Sequence, residues 1–275
     1  SEYIGDATRV NDLKGRMLMP AFHDAHAHPI WSGIDQLKCP VFGLPSIEAI
    51  QNEVARCLNS TTTQSTGWVV GAGYNLGLFP AGNANKSLLD AVSSEIPIYL
   101  DGEDGHSGWA NSKALELAGI TADTPNPELG IIEKDPVSGE PTGTLREPAA
   151  MGLIKQIIPG DDLELFDDGL LFAQNLAHSF GITSIIAASV GEQHLAAYKR
   201  LADRGGLNLR MITSIEYGNT GFTLGPGGFE EVFAKRQRYQ HSRINVDSIK
   251  IFIDGVFEGQ TAALLEPYLD SGSMG

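Results

Sequence analysis

Ile182-Thr-Ser-Ile-Ile-Ala-Ala188 is an apolar, partly β-branched run that begins directly after Gly181, and it reads as a strand. Before it, a helix opens at Asp161 and Asp162, carries Leu165, Leu170, Phe172 and Leu176, and closes at Gly181. After it come a helical stretch from Glu192 to Asp203 ending at Gly205, a strand around Leu209 to Glu216, a helix near Phe229 to Tyr239, and a strand from Val246 to Asp254. Helix and strand in strict alternation predict parallel strands covered by helices, in either a barrel or an open doubly wound sheet.

Upstream the pattern is less regular. Met17 to Phe22 is a strand-like apolar run, and Ile47, Ile50, Val54 and Leu58 share one face of a helix over Ile47 to Leu58 that Ser46 caps. The polar tract Ser60 to Thr66 reads as a loop, and Trp68 to Gly73 and Ile96 to Leu100 read as strands. A short helix starts at Asn111 and stops at Gly119, and Thr121 to Thr144 reads as turns with a hairpin. Residues 65 to 148 therefore look like an insertion after the first strand, and no internal repeat is present.

The chain has 275 residues, of which 42% are hydrophobic, enough to bury a substantial core. Nineteen basic against thirty-four acidic residues give a net charge of −15, which argues against a nucleic-acid backbone or an anionic membrane as partner. No apolar run approaches the roughly 20 residues of a membrane span. Ser1 to Val10 lack the basic start and apolar stretch of a secretory signal, although a signal could precede this numbering, so a cytoplasmic location is the expectation. Cys39 and Cys57 have neither the number nor the spacing of a disulfide framework or a structural zinc knot, and both read as free thiols.

Three local patterns carry chemistry. In Pro20-Ala-Phe-His-Asp-Ala-His-Ala-His-Pro29, His26 and His28 stand two apart at the end of a strand, so both imidazoles share a face and can converge on one metal ion. His23 and Asp24 lie just before them, and Asp24 could orient a ligand imidazole. An isolated His-x-His can equally be a polar turn; a preceding strand and a following α/β pattern favour the metal. In Ile249-Lys-Ile-Phe-Ile-Asp254, the isoleucines alternate with Lys250, Phe252 and Asp254. In a barrel the isoleucines would meet the helices and Lys250 would turn inward, where an unpaired ammonium is disfavoured. Pairing with Asp254 or Glu258, a depressed pKa, or carboxylation of the amine into a metal ligand would each relieve that. Finally, Asp101-Gly-Glu-Asp-Gly-His-Ser-Gly-Trp-Ala-Asn-Ser112 makes His106 a candidate to bind or polarise a substrate carbonyl and Trp109 a candidate pocket wall, unless Trp109 is ordinary core and Asn111 a helix cap. Glu147 is a further substrate-binding candidate, while His178, His194 and His241 read as structural or solvated.

On these residues the chain resembles the amidohydrolase superfamily and, within it, amidohydrolase family 3, the YtcJ-like group. The carrying residues are Gly15 to His28, Asp104 to Ser112 with Ala114 and Leu115, Gly181 to Ser184, and Lys250 to Gly255 followed by Thr261 to Ala263. The resemblance implies a (β/α)8 barrel beside a small β-sandwich, with His26 and His28 as metal ligands from the first strand and Lys250 as a carboxylated ligand from the fourth. On this reading residues 1–16 are the remnant of the sandwich and 17–275 are about the first four strands of the barrel. The further ligand histidines and the strand-eight aspartate of the superfamily are not found, so the chain is expected to be incomplete or completed by a second polypeptide.

The resemblance also implies zinc or a similar divalent ion, one or two per site. The reaction it implies is hydrolysis of a non-peptide carbon–nitrogen bond of a small molecule, such as a formamide or another amide, with Lys250 and His106 in catalytic roles. A homodimer is a further expectation. The rival from another class is a non-catalytic binding or assembly protein on the same fold. An open nucleotide-binding sheet is disfavoured, because no Gly-x-Gly-x-x-Gly turn joins a strand to a helix.

Overall fold

The computed structural model describes residues 2–217, 229–255, 257, 260, 262–269 and 272–274. Local signals set most of its helices. The Asp162 carboxylate accepts the Leu165 N–H at 2.8 Å and opens α7 (Leu163–Ser179), which ends just before Gly181 at φ 74°. Ser46 opens α2 (Ile47–Cys57) in the same way. Ser60 accepts the Thr63 N–H and Gly67 closes the turn at φ 73°, so the tract expected to be a loop is a short helix, α3 (Thr61–Thr66). Two other helices, α1 (Pro29–Leu37) and α6 (Glu147–Lys155), begin with a proline in the first turn and no side-chain cap, which is why the sequence hid them.

The strands β1 (Phe22–Ala27), β8 (Ile182–Val190), β9 (Arg210–Glu216) and β10 (Ile244–Lys250) lie parallel in that order. Helix α8 (Glu192–Asp203) connects β8 to β9, and α9 (Phe229–Tyr239) precedes β10. Ile185, Ala187, Met211, Ile215, Ile244 and Val246 share a buried cluster with Leu170, Leu195, Tyr198, Ile30 and Ile34. Helices α1 and α7 approach so closely that a Cβ on Gly33 would stand 1.9 Å from the Gly169 carbonyl oxygen. The first strand starts later than the apolar run suggested. Met17 and Leu18 are solvent-exposed, and pairing begins with Phe22 opposite Ile182. At the other edge β10 ends at Lys250, and Ile251 and Ile253 are 52% and 90% exposed rather than covered by helices.

A second sheet draws its strands from residues 39 to 146, in the order β2 (Cys39–Pro40), β3 (Val69–Tyr74), β4 (Ile98–Gly102), β5 (Ser107–Ala110), β7 (Pro141–Arg146) and β6 (Ile131–Lys134). Its first three strands are parallel and the others antiparallel. Helices α4 (Lys86–Asp90) and α5 (Ser112–Leu117) pack on it. Asn111 caps α5, its amide oxygen accepting the N–H groups of Ala114 and Ile98.

The cysteines are not free thiols. Cys39 on β2 and Cys57 at the end of α2 form a disulfide, with Cα atoms 5.8 Å apart across a sequence separation of 18. Helix α2 folds back along the strand that precedes it and brings the two sulfurs together, a juxtaposition that cysteine counting cannot supply. No helix among the described residues is long and apolar enough to cross a membrane.

Candidate functional site

Parallel β-sheets gather chemistry at their C-terminal strand ends, and here those ends bring His26, His28, Glu216 and Lys250 to one rim. His28 is not on the strand itself but at the N-cap of α1, and β1 bulges just before it. From Asp24 to Ala27 that strand advances three residues while β8 advances two, from Ile185 to Ala187. The imidazoles of His26 and His28 nevertheless meet, their centroids 5.3 Å apart and nearly perpendicular. Trp31, one turn along α1, stacks on the other side of His28 at 5.1 Å.

His28 Nδ1 lies 2.9 Å from the Ala188 carbonyl oxygen. A carbonyl can only accept, so Nδ1 carries the proton and Nε2 keeps its lone pair. Burial lowers the His28 pKa, with the charges of His26 and Lys250 pushing the same way and the Ala188 bond opposing them. The ring is thus held neutral, the form in which imidazole ligates a metal. The expected helper Asp24 does a different job: its carboxylate accepts the His26 backbone N–H at 3.0 Å. His23 is exposed.

Lys250 closes β10 opposite Glu216 in the register, and its ammonium lies over the Phe252 ring, 4.6 Å from the centroid. Asp254 turns away to accept the Ala263 N–H at 3.1 Å. Glu258 and Thr261 lie outside the described residues.

Behind His28 sits a residue read from the sequence as merely structural or solvated. His194 is buried, forms a ring contact with Trp31 at 5.2 Å, and accepts the Gly191 N–H through Nδ1 at 3.2 Å. Burial, with a smaller contribution from His28, drives its pKa down to about 4. A cavity of about 10 Å³, enough for roughly one water, is bounded by His28, Trp31, Ser189 and His194.

His106 and Glu147 form a second group. His106 Nδ1 stands 2.7 Å from Glu147 Oε2, and the Glu147 N–H donates to the His106 carbonyl at 2.7 Å. Glu147 is buried and adopts φ 65°, a left-handed conformation that only a well-determined environment sustains in a glutamate. Asp104 accepts the backbone N–H groups of His106 and Ser107, and the buried Arg146 reaches Ser107 at 3.0 Å and Asn83 at 2.8 Å. The carboxylate can orient the imidazole, the geometry of a general acid–base pair. Trp109 is fully buried. It donates to the Asn85 carbonyl at 3.1 Å and packs on Tyr74 and Phe79, so it is a core residue and offers no exposed pocket wall.

Sequence reasoning passed over Ser189 and Glu216, which share a hydrogen bond of 2.6 Å beside His28. An acidic residue closing an apolar strand was the one available signal for Glu216; nothing in Ala-Ala-Ser-Val marks Ser189.

Residues 9–275 match the model of the amidohydrolase family. The chain is 27% identical to the putative amidohydrolase YtcJ of Bacillus subtilis (strain 168), over 99% of this chain and 50% of that protein. It is 30% identical to the N-substituted formamide deformylase of Arthrobacter pascens, over 90% of this chain and 46% of that one. The crystal structure of an uncharacterized metal-dependent hydrolase from Pyrococcus horikoshii OT3 superposes with a TM-score of 0.58 at 24% identity, covering 91% of this chain and 46% of that one. The chain thus spans about half the length of these relatives.

Proposed function

Because the chain belongs to the amidohydrolase family, we propose that it takes part in metal-dependent hydrolysis of a non-peptide carbon–nitrogen bond, such as that of an N-substituted formamide or another small amide. The observation that carries this reading is the imidazole pair, His26 beside a neutral His28 whose Nδ1 proton is committed to Ala188. The donor set suits a divalent ion of zinc's class, with Lys250, near enough for its charge to act on His28, as a carboxylated third ligand. A bound ion would supply Lewis acidity at the scissile carbonyl and an acidified water.

The chain's own groups do the rest. Ala188 fixes the His28 ring, and Glu147 orients His106 so that its Nε2 can hold the substrate carbonyl or pass a proton to the leaving nitrogen. Glu147 acts through His106, and Trp109 supports the sheet beneath that loop. On this reading the four parallel strands are about the first four of a (β/α)8 barrel, of which residues 17–275 form a part, with an insertion over about 65–148 and residues 1–16 as a sandwich remnant.

Elemental analysis of purified protein beside a His26→Ala, His28→Ala variant tests the proposal. Bound zinc or a related ion, lost in the variant, supports it. A wild-type protein that holds no metal after zinc is supplied overturns it and leaves a non-catalytic binding or assembly protein as the account.

A further inference from the structure

Strand β8 carries one residue more than its neighbour at its C-terminal end. From Ala187 to Val190 it advances three residues, while β9 advances two, from Thr213 to Ile215. This is a β-bulge, and Ser189 sits in it at φ 57°, a conformation serine seldom adopts. Ser189 is only 1% exposed, so its geometry is set by the interior.

Two bonds leave the bulge in different directions. The Ala188 carbonyl accepts the Nδ1 proton of His28 at 2.9 Å, and the Ser189 hydroxyl donates to Glu216 Oε2 at 2.6 Å. Glu216 is completely buried, which a carboxylate tolerates only when its oxygens are hydrogen-bonded. It closes β9 directly opposite Lys250. The serine–glutamate bond therefore joins the backbone that orients His28 to the strand end that faces Lys250.

We infer that Ser189 and Glu216 are positioning residues of the candidate metal centre: their hydrogen bond locks the β8 bulge so that Ala188 presents its carbonyl to His28 and leaves Nε2 free to ligate. The inference rests on the reading of His28 as a ligand. It assigns no chemistry to Glu216 beyond that brace.

Three variants test it. Ser189→Gly accepts the left-handed backbone without strain but deletes the hydroxyl, Glu216→Ala deletes the acceptor, and Glu216→Gln keeps a carbonyl oxygen for the serine. Cobalt(II) affinity is read from the visible absorption of the bound ion, and the His28 tautomer from ring ¹⁵N shifts in metal-free protein. Ser189→Gly and Glu216→Ala are expected to weaken cobalt binding roughly 10- to 100-fold, the range for a lost partner of a metal ligand, and to mix the His28 tautomers. Glu216→Gln is expected to stay close to wild type in both. Folded Ser189→Gly protein with unchanged cobalt affinity and an unmixed tautomer overturns the inference. If wild-type protein binds no cobalt, the metal reading fails separately, and the tautomer comparison alone decides the brace: mixing supports it and an unchanged tautomer overturns it.

Discussion

Breaking the Cys39–Cys57 bond should cost about 3 kcal/mol of stability. The magnitude follows from the loop that the bond closes. With a sequence separation of 18, a chain-entropy loss of about 2.1 + 1.5R ln n cal/mol/K in the unfolded ensemble corresponds to roughly 3 kcal/mol at 25 °C. Both sulfurs are buried, at 2% and 1% exposure, between β2 and α2, so in the oxidised protein the bond ties the edge of the second sheet to the helix that covers it. The assay is thermal unfolding with and without a reductant, beside a Cys39→Ala, Cys57→Ala variant. At about 2–4 °C per kcal/mol for a domain of this order, Tm should fall by roughly 6–12 °C on reduction, while the variant should not respond to reductant. Thiols are counted in parallel, in denaturant and without reductant. Two reactive thiols per chain, or a Tm indifferent to reductant, would refute the reasoning. The outcome also bears on location, because a bond of this kind persists in oxidising compartments and is rare in a reducing cytoplasm. A thiol-trapped sample from the producing cells should contain the bonded form, against the cytoplasmic expectation from the N-terminal sequence.

Two further perturbations probe the scaffold. Burial lifts the Asp35 carboxyl to about 7, Asp101 and Asp161 push it the same way, and Lys38 and Lys155 oppose them. The folded protein therefore holds a proton that the unfolded chain releases near 3.8, the ordinary aspartate value, and stability should fall as pH rises from about 4 through 7. Asp35→Asn should flatten that slope in denaturant titrations at pH 5 and 8, and an unchanged slope would count against the assignment. Gly33→Ala places a methyl 1.9 Å from the Gly169 carbonyl and must separate α1 from α7. A loss of about 1–3 kcal/mol is expected in equilibrium unfolding, and unchanged stability would show that the two helices can yield.

The elements most legible in the sequence were those whose boundaries are local. Asp162 and Gly181 bracket α7, Glu192 to Asp203 is α8 as read, and the apolar run after Gly181 is β8. What the sequence could not express was partnership over distance. Nothing in Phe22 or Ile182 says that they pair, although some 160 residues separate them and a whole second sheet is built from the chain between. The disulfide escaped for the same reason.

The candidate site divides along the same line. His26, His28 and Lys250 were legible because each sits at the end of an apolar run, where a polar side chain is conspicuous. Their geometry was not, because alternation assumes an unbroken period of two, and every pairing in this sheet breaks it, the β1–β8 pairing twice. An extra residue falls in β8 between Ile182 and Ser184 and again between Ala187 and Val190, in β1 between Asp24 and Ala27, and in β10 between Asn245 and Ser248. An inserted residue reverses which face the following side chains take. In β10, Ile244 pairs with the buried Met211 and Ile249 with the buried Ile215, so the inserted residue keeps Ile249 on the face of Ile244 although the two stand an odd number of positions apart. In β8 the same irregularity turns Ser189 toward Glu216 and the Ala188 carbonyl toward His28. The bulges are thus what alternation misreads and, on the reading offered here, what aims the site. Period-two reasoning therefore fails near the C-terminal ends of β1 and β8 and within β10, the three strands that carry or orient His26, His28 and Lys250.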